Sequence, residues 1–186
     1  ITFPHMGNGC LAAKALFDGL GIDYIMPPLN SKLALEIGSL YSPEDICLPF
    51  KIMIGNYMQA IEKGADTVIL TGSCGPCRFG EYCEMQMNLL KKLGHDIDFI
   101  VMDMPKDIGK KELLNRINKI SSKSKKTKLE KVKALFNALK VINLIDEIEA
   151  KAHYMAGYEI VKGQCRKILS NCKMESLKCK KTEDMI

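Results

Sequence analysis

Residues 65–83, ADTVILTGSCGPCRFGEYC, decide the fold, because an apolar run passes there directly into a loop rich in glycine and cysteine. The run TVIL is β-branched and uniformly apolar, which is typical of a central strand in a parallel sheet that is covered on both faces. Ligands of such sheets collect at the carboxyl ends of the strands. We therefore expect the loop that carries Cys74 and Cys77 to lie at a binding edge.

Strand-like and helix-like segments alternate on both sides of this run. Strands are predicted at ITF, IDYIMPP, TVIL and IDFIVMDMP, and helical patterns separate them. Alternation of this kind indicates βαβ units with right-handed crossovers. The sequence therefore predicts an α/β fold over residues 1–105, a Rossmann-like parallel sheet of about four strands with helices on both faces. TVIL is expected to be the central, buried strand.

The composition changes after Pro105. Residues 106–133 hold eleven Lys or Arg and three Asp or Glu, a net charge of +8, whereas the whole chain of 186 residues carries +5. Residues 106–128 are predicted to form a basic joint, and within it the segment SSKSKKTK, which has no apolar residue, is predicted to be flexible. This joint lacks interleaved aromatic residues, so no nucleic-acid contact is expected. Residues 129–186 predict a helical C-terminal region with a break near Gly157.

Cysteine usage favours metal or redox chemistry. The chain shows no secretory leader and no run of about 18 apolar residues, so we expect a cytoplasmic protein without membrane contact. Thiols in that compartment stay reduced unless they are catalytic or bound to metal, and this chain has eight cysteines. Thiolates suit iron–sulfur clusters or zinc. Because the chain begins with Ile and ends with KCKKTEDMI, we also expect that further residues precede and follow it.

Three cysteines are candidate metal ligands. Cys47 lies in DICLPFK, and Cys74 and Cys77 lie in SCGPC, where neighbouring strand ends would bring them together. The glycines of the loop would direct amide N–H groups at cluster sulfurs, and Arg78 adds a cation that favours a thiolate. Two alternatives remain open. CGPC has the spacing of a dithiol oxidoreductase, and the cysteines could be structural parts of a non-catalytic binding or assembly module.

The other cysteines have simpler interpretations. Cys10 and Cys83 stand among apolar residues in helical patterns, so both are expected to be buried side chains rather than ligands. Cys165, Cys172 and Cys179 recur every seven residues, which places them on one helix face. Neighbours in that series are about 10 Å apart on a straight helix, too far to share one metal. They predict a buried seam or an oligomer stripe.

The motif FPHMGN offers a second binding candidate at the end of the first predicted strand. His5 could bind an anionic part of a cofactor together with the amide groups of Gly7 and Asn8 at a helix N-terminus. It could equally cap the turn. The spacing does not match GxGxxG, so a dinucleotide site is not indicated.

Several of these segments also carry a family resemblance. FPHMGN, YSPEDICLPFKIMIGN, EKGADTVILTGSCGPCRFGEY and LLKKLGHDIDFIVMDMP resemble the CoA-substrate-specific enzyme activase-related proteins. These are similar to the iron–sulfur subunits of 2-hydroxyacyl-CoA dehydratases and benzoyl-CoA reductases. The resemblance covers about residues 2–105. It implies a two-lobed Rossmann-like fold with a [4Fe–4S] cluster between the lobes, and it points to Cys47, Cys74 and Cys77 as the cluster ligands.

The resemblance also implies partners. These are an ATP-dependent activator or a dehydratase-like subunit, with an acyl-CoA as ligand. The family's chains are much longer, so a second lobe is missing here and a complete active site is not expected. The chain would act in electron transfer to, or as a component of, an acyl-CoA dehydratase- or reductase-like system. We expect the cluster to be lost in air, and the uncovered C-terminal helices to pair in a homodimer.

Overall fold

The computed structural model describes residues 1–72, 77–103 and 105–179. Its elements in chain order are α1 (Gly9–Leu20), α2 (Lys32–Tyr41), α3 (Leu48–Glu62), β1 (Thr67–Thr71), a short 3₁₀ helix (Arg78–Glu81), α4 (Tyr82–Lys92), β2 (Asp98–Met102), α5 (Pro105–Ser122), α6 (Lys128–Met155) and α7 (Gln164–Lys178). The described chain is therefore mixed α/β and largely helical. It divides into two units. The first comprises Ile1–His5 and Asp23–Lys123, and the second comprises Met6–Ile22 and the chain from Ser124 onward.

The sheet of the first unit is built around β1. Strand β1 pairs in parallel with β2, with Thr67 opposite Asp98. On its other side an isolated parallel bridge joins Val68 to Thr2, whose amide donates to the Thr67 carbonyl at 2.8 Å. All four residues of TVIL are buried. The prediction that this run is a buried, central strand is confirmed.

The sheet is narrower than the sequence predicted. Within the described ranges it has two strands and one bridge, rather than four strands. The segment IDYIMPP forms no regular strand, although the Ile25 amide donates to the Ile1 carbonyl at 2.7 Å. Proline supplies the physical reason, because it has no N–H to donate to a ladder. Pro4 directly follows the segment ITF, and Pro27 and Pro28 are the last two residues of IDYIMPP.

The core of the first unit forms where α3 packs beside β1 and α4. The side chains of Phe50, Ile54 and Tyr57 on α3 are fully buried, together with Leu70 of β1 and Leu90 of α4. Burying a large apolar side chain contributes about 1.5–3 kcal/mol, so this cluster is the main source of stability in the unit. It holds both ends of the β1–α4 connection in place.

Helix α2 was not predicted, and its packing explains why it forms. Ser31 caps it by accepting a hydrogen bond from the Ala34 amide at 3.2 Å. A Cβ added at Gly38 would lie 1.7 Å from the Lys51 carbonyl oxygen, and one at Gly55 would lie 1.8 Å from the Ala34 carbonyl oxygen. The two glycines therefore allow the backbones of α2 and α3 to approach closely.

Most of the predicted basic joint at residues 106–128 is helical, whereas the segment SSKSKKTK lies largely between α5 and α6. Helix α5 runs to Ser122, with a kink at Gly109, where φ is 78°. Arg116 anchors it, because its guanidinium donates to the Asp103 carboxylate at 2.9 Å and to the Val101 carbonyl at 2.6 Å. The sequence did not predict this contact, because a single arginine in a lysine-rich segment makes it.

As far as the structure describes it, the second unit contains three helices, α1, α6 and α7. Leu11 and Ala15 of α1 pack against Ala138, Val141 and Ile145 of α6. Helix α6 begins with a capping box in which Thr127 and Glu130 satisfy each other's backbone amides. The chain leaves α6 at Met155 and enters α7 at Gln164, so the predicted break near Gly157 is confirmed.

Candidate functional site

The candidate site lies where the chain leaves β1 at the carboxyl edge of the sheet. Gly72 ends the described part of the strand exit, and the chain is described again from Cys77, which precedes the 3₁₀ helix. The predicted ligand Cys74 lies outside the described residues. Cys77 is an exposed, free thiol, so it is accessible to a ligand.

The predicted ligand Cys47 occupies the N-cap position of α3. Its backbone is extended, with φ −66° and ψ 153°, and its side chain makes no capping hydrogen bond. The thiol is exposed and free. The N-terminal end of a helix attracts negative charge, so this position suits a thiolate. Cys47 therefore lies at the start of the helix that precedes β1.

Tyr82 connects the two thiols. Its hydroxyl donates a hydrogen bond to the Cys47 sulfur, and this bond is the largest cause of the raised pKa of Tyr82. Burial and the nearby charge of Cys47 raise the pKa of Tyr82 further, Arg78 lowers it, and Cys77 raises it. Cys47, Cys77 and Arg78 therefore all influence the Tyr82 hydroxyl electrostatically. That Cys47 and Cys77 act as ligands of one metal site, with Arg78 beside them, stays a prediction.

Tyr82 is held by aromatic packing. Its ring meets Phe50 edge to face with the ring centroids 5.0 Å apart, and Phe79 lies 6.2 Å away on the other side. Edge-to-face pairs of this kind contribute about 0.5–1.5 kcal/mol beyond the burial of area. The hydroxyl is therefore presented at the edge of the sheet by a ring fixed in the core. Sequence analysis missed Tyr82, although its place directly after the glycine-rich loop was a usable signal.

A half-buried carboxylate lies beside Gly72, where the described chain leaves β1. A Cβ added at Gly72 would lie 1.9 Å from Asp103 Oδ1 and 3.3 Å from Cys83 Sγ, so only glycine fits at this position without rearrangement. Asp103 follows β2, and its carboxylate is paired with Arg116 at 2.9 Å. The backbone at Gly72 therefore lies next to an ion pair from the neighbouring strand. Sequence analysis did not single out Asp103 either.

The two cysteines expected to be buried are buried. Cys83 lies 3.6 Å from the Gly80 carbonyl oxygen, and burial, with Asp103 nearby, raises the pKa of its thiol. Cys10 is 1% exposed, and burial raises its pKa to about 12. Both thiols are held in the neutral form at physiological pH. Neither is suited to act as a metal ligand without a change in its surroundings.

The residues of the FPHMGN motif fall in different units. His5 belongs to the first unit, where burial lowers its pKa and favours the neutral imidazole. Its Nδ1 has no hydrogen-bond partner among the described residues. Gly7 and Asn8 belong to the second unit. Gly7 has a φ of 51°, and the Asn8 amide donates to carboxylates of Asp146 and Glu149.

The thiols of the C-terminal region are not gathered into a site. Cys172 is exposed, Cys165 and Cys179 are partly exposed, and no residue of α7 is buried. The prediction that these cysteines form a buried seam is therefore wrong, and the alternative of an oligomer stripe stays a prediction. Over residues 1–72, 77–103 and 105–179, no group of three Cys, His, Asp or Glu side chains could hold a metal ion. The described part of the thiol site thus supplies two donors, Cys47 and Cys77.

Comparisons with protein-family models, with curated proteins and with solved structures found no match. Among the described residues, no helix combines the length and the apolar character needed to cross a membrane.

Proposed function

We propose that this chain is an iron–sulfur protein of the 2-hydroxyacyl-CoA dehydratase and benzoyl-CoA reductase group. One observation carries the proposal: Cys47 and Cys77 are both exposed free thiols, and both contribute to the raised pKa of the Tyr82 hydroxyl. They stand on separate segments of the chain, as ligands of one cluster commonly do. A [4Fe–4S] cluster, when bound, accepts and donates one electron at a time.

The donors present fit such a cluster in kind. Thiolates are the usual protein ligands of iron–sulfur centres. Cys47 and Cys77 would supply two of them, and Cys74 is the proposed third. Arg78 would offset the negative charge, and the Tyr82 hydroxyl would donate a hydrogen bond to the sulfur of Cys47. The fourth ligand would come from outside the described residues or from a partner.

A doubly wound sheet would place these groups at a binding edge. Four extended segments lie side by side through hydrogen bonds, with the segment around Ile25 beside Ile1, Thr2 beside β1, and β1 beside β2. This spatial order, 2-1-3-4, matches four of the five strands of the flavodoxin-like order 2-1-3-4-5. It supports the proposal that the first unit is a Rossmann-like domain with about four strands, of which the outer two are short.

The proposed role is electron transfer to an acyl-CoA dehydratase- or reductase-like system, or membership of one as a component. Its partner would be an ATP-dependent activator or a dehydratase-like subunit, and the proposed compartment is the cytoplasm. We do not assign a complete catalytic site to this chain. An acyl-CoA is the proposed ligand of the assembled system.

Anaerobic reconstitution with iron and sulfide tests the proposal. We expect the chain to bind iron and sulfide in equal amounts and to give an electron paramagnetic resonance signal after reduction. Cys47→Ser, Cys74→Ser and Cys77→Ser should each lose most of the iron. Cys172→Ser is the matched control, because this thiol is also exposed and free but lies on α7. Equal iron retention in all four variants would exclude the cluster.

The same samples separate the alternative functions. A dithiol oxidoreductase would bind no iron, and Cys74 and Cys77 would form a disulfide that reducing agents reverse. A binding or assembly module with structural cysteines would show neither property. Mass spectrometry after alkylation, with and without reductant, distinguishes these two outcomes.

A further inference from the structure

Helix α6 has two apolar faces, and only one of them is covered. The covered face carries Ala138, Val141 and Ile145, which pack against α1. The close approach of Gly19 to Ala134, where an added Cβ would lie 2.7 Å from the Ala134 Cβ, extends this contact toward the start of α6. The covered face explains how α6 is attached to its unit. It does not explain why the opposite face is apolar as well.

The opposite face is large and exposed at the start of the helix. We call it the α6 outer face, and it consists of Leu129, Val132, Leu135, Phe136 and Leu139. Leu129 is 81% exposed and Phe136 is 66% exposed. The spacing of three and four residues places the members on one side of the helix. Contiguous exposed apolar side chains of this kind mark interaction surfaces.

Lysines surround this face. Between Lys123 and Lys140 the chain has seven lysines and one glutamate, a net charge of +6. The glutamate, Glu130, is already engaged by Thr127 and Lys126. Over the described ranges, Lys128, Lys133 and Lys140 are exposed and form no ion pair. The surface therefore offers an apolar stripe with positive charge on its margins.

The charge decides which partner fits. A second copy of this chain would place one lysine margin against another, and like charges disfavour that pairing. The helix is also formed before any partner binds, because it is capped at Thr127 and packed on α1. A preformed, rigid face favours a folded protein partner over a lipid surface, on which amphipathic helices commonly lie free. We propose that the α6 outer face binds an acidic amphipathic helix of a partner protein.

A defined peptide tests this proposal. The probe is a helical peptide of about 15 residues with leucines on one face and glutamates beside them, which matches the length of the exposed stripe. Its control has lysines in place of the glutamates. Fluorescence anisotropy should show the acidic peptide binding at least about tenfold more tightly than the basic one, and this preference should weaken at high salt.

Substitutions locate the binding site. We expect Phe136→Ser, and separately Lys133→Glu combined with Lys140→Glu, to weaken binding of the acidic peptide about tenfold. Ile160→Ser is the matched apolar control, because Ile160 is 99% exposed but lies outside α6. Lys162→Glu combined with Lys167→Glu is the charge control. Circular dichroism verifies that each variant keeps its helix content.

Three results would overturn the proposal. The two peptides could bind equally well. Vesicles of phosphatidylserine and phosphatidylcholine could bind in preference to the acidic peptide, with Phe136→Ser abolishing that binding, which would assign the face to a membrane. Light scattering could show a dimer that Phe136→Ser dissociates, which would assign it to a second copy. Cys47→Ser should leave peptide binding unchanged, so this test is independent of the proposed iron–sulfur function.

Discussion

The Tyr82 hydroxyl donates a hydrogen bond to the Cys47 sulfur, which joins the first residue of α4 to the N-cap of α3. The ring of the same tyrosine packs edge to face against Phe50 with a centroid distance of 5.0 Å. The hydroxyl and the ring therefore have separate roles. The ring belongs to the core of the first unit, and the hydroxyl belongs to the thiol site.

Two substitutions at Tyr82 separate these roles. Tyr82→Phe keeps the ring and removes one hydrogen bond, so the free energy of unfolding should fall by about 1 kcal/mol. Tyr82→Ala also removes the packing and should cost about 3–5 kcal/mol. Urea denaturation followed by circular dichroism measures both. Tyr158→Ala is the control, since Tyr158 is 69% exposed and its loss should change stability by less than about 0.5 kcal/mol. Equal losses for the two Tyr82 variants would contradict a packing role for the ring.

Gly38→Ala tests the close packing of α2 on α3. The added methyl group would lie 1.7 Å from the backbone oxygen of Lys51, so the two helices must separate. Overpacking of this kind costs about 1–3 kcal/mol or more, and we expect the upper end because a backbone atom is the obstacle. Thermal or urea unfolding measures the loss. Gly157→Ala is the matched control, because its nearest neighbour would be the Tyr154 carbonyl oxygen at 3.5 Å. A neutral Gly38→Ala would show that α2 is not held against α3.

The sequence predicted those features that depend on local pattern. TVIL is uniformly apolar, and β1 is buried. Cys47 precedes a helical pattern, and it caps α3. Gly157 interrupts an amphipathic pattern, and two helices flank it. In each case the residues themselves carry the signal, because burial periodicity and helix breakers act over a few neighbouring positions.

The features that the sequence did not predict depend on tertiary contacts. Helix α2 is held by the approach of Gly38 and Gly55 to the opposite backbone, and no local pattern records that approach. Helix α5 is anchored through Arg116 to Asp103. The interaction of the Tyr82 hydroxyl with Cys47 depends on where α4 lies in the folded unit, which no local pattern records. Prolines limit the sheet at its outer segment, where the strand predicted at IDYIMPP is not formed.

Thiol reactivity should divide the described cysteines into two groups. Burial raises the pKa of Cys10 to about 12, so at pH 8 only about one molecule in ten thousand carries its thiolate. Burial also raises the pKa of Cys83. Cys47, Cys77 and Cys172 are exposed. Because the thiolate is the nucleophile, iodoacetamide at pH 8 should alkylate the exposed group first, as followed by peptide mass spectrometry.

Denaturation provides the control for this experiment. In urea all the described cysteines should react at similar rates, since burial no longer distinguishes them. If Cys10 reacted as fast as Cys172 in the native protein, the core of the second unit would be open to solvent, which is not what the packing of α1 on α6 implies.

The capping box of α6 makes a pH-dependent contribution to stability. Hydrogen bonds from the Thr127 amide and hydroxyl, together with Lys126, lower the pKa of Glu130 from 4.5 to about 2. A carboxyl group whose pKa is lowered by folding stabilises the native state above its unfolded pKa and loses that effect as the pH falls toward its folded pKa.

Thr127→Ala removes the cap, so it should lower the melting temperature at pH 7 and have a progressively smaller effect between pH 4.5 and pH 2. Thermal unfolding of the wild type and the variant at several pH values measures this difference. Ser170→Ala, a substitution within α7, should show no comparable dependence on pH. A difference between wild type and Thr127→Ala that stayed constant from pH 7 to pH 2 would show that the Glu130 carboxylate does not take part in the cap.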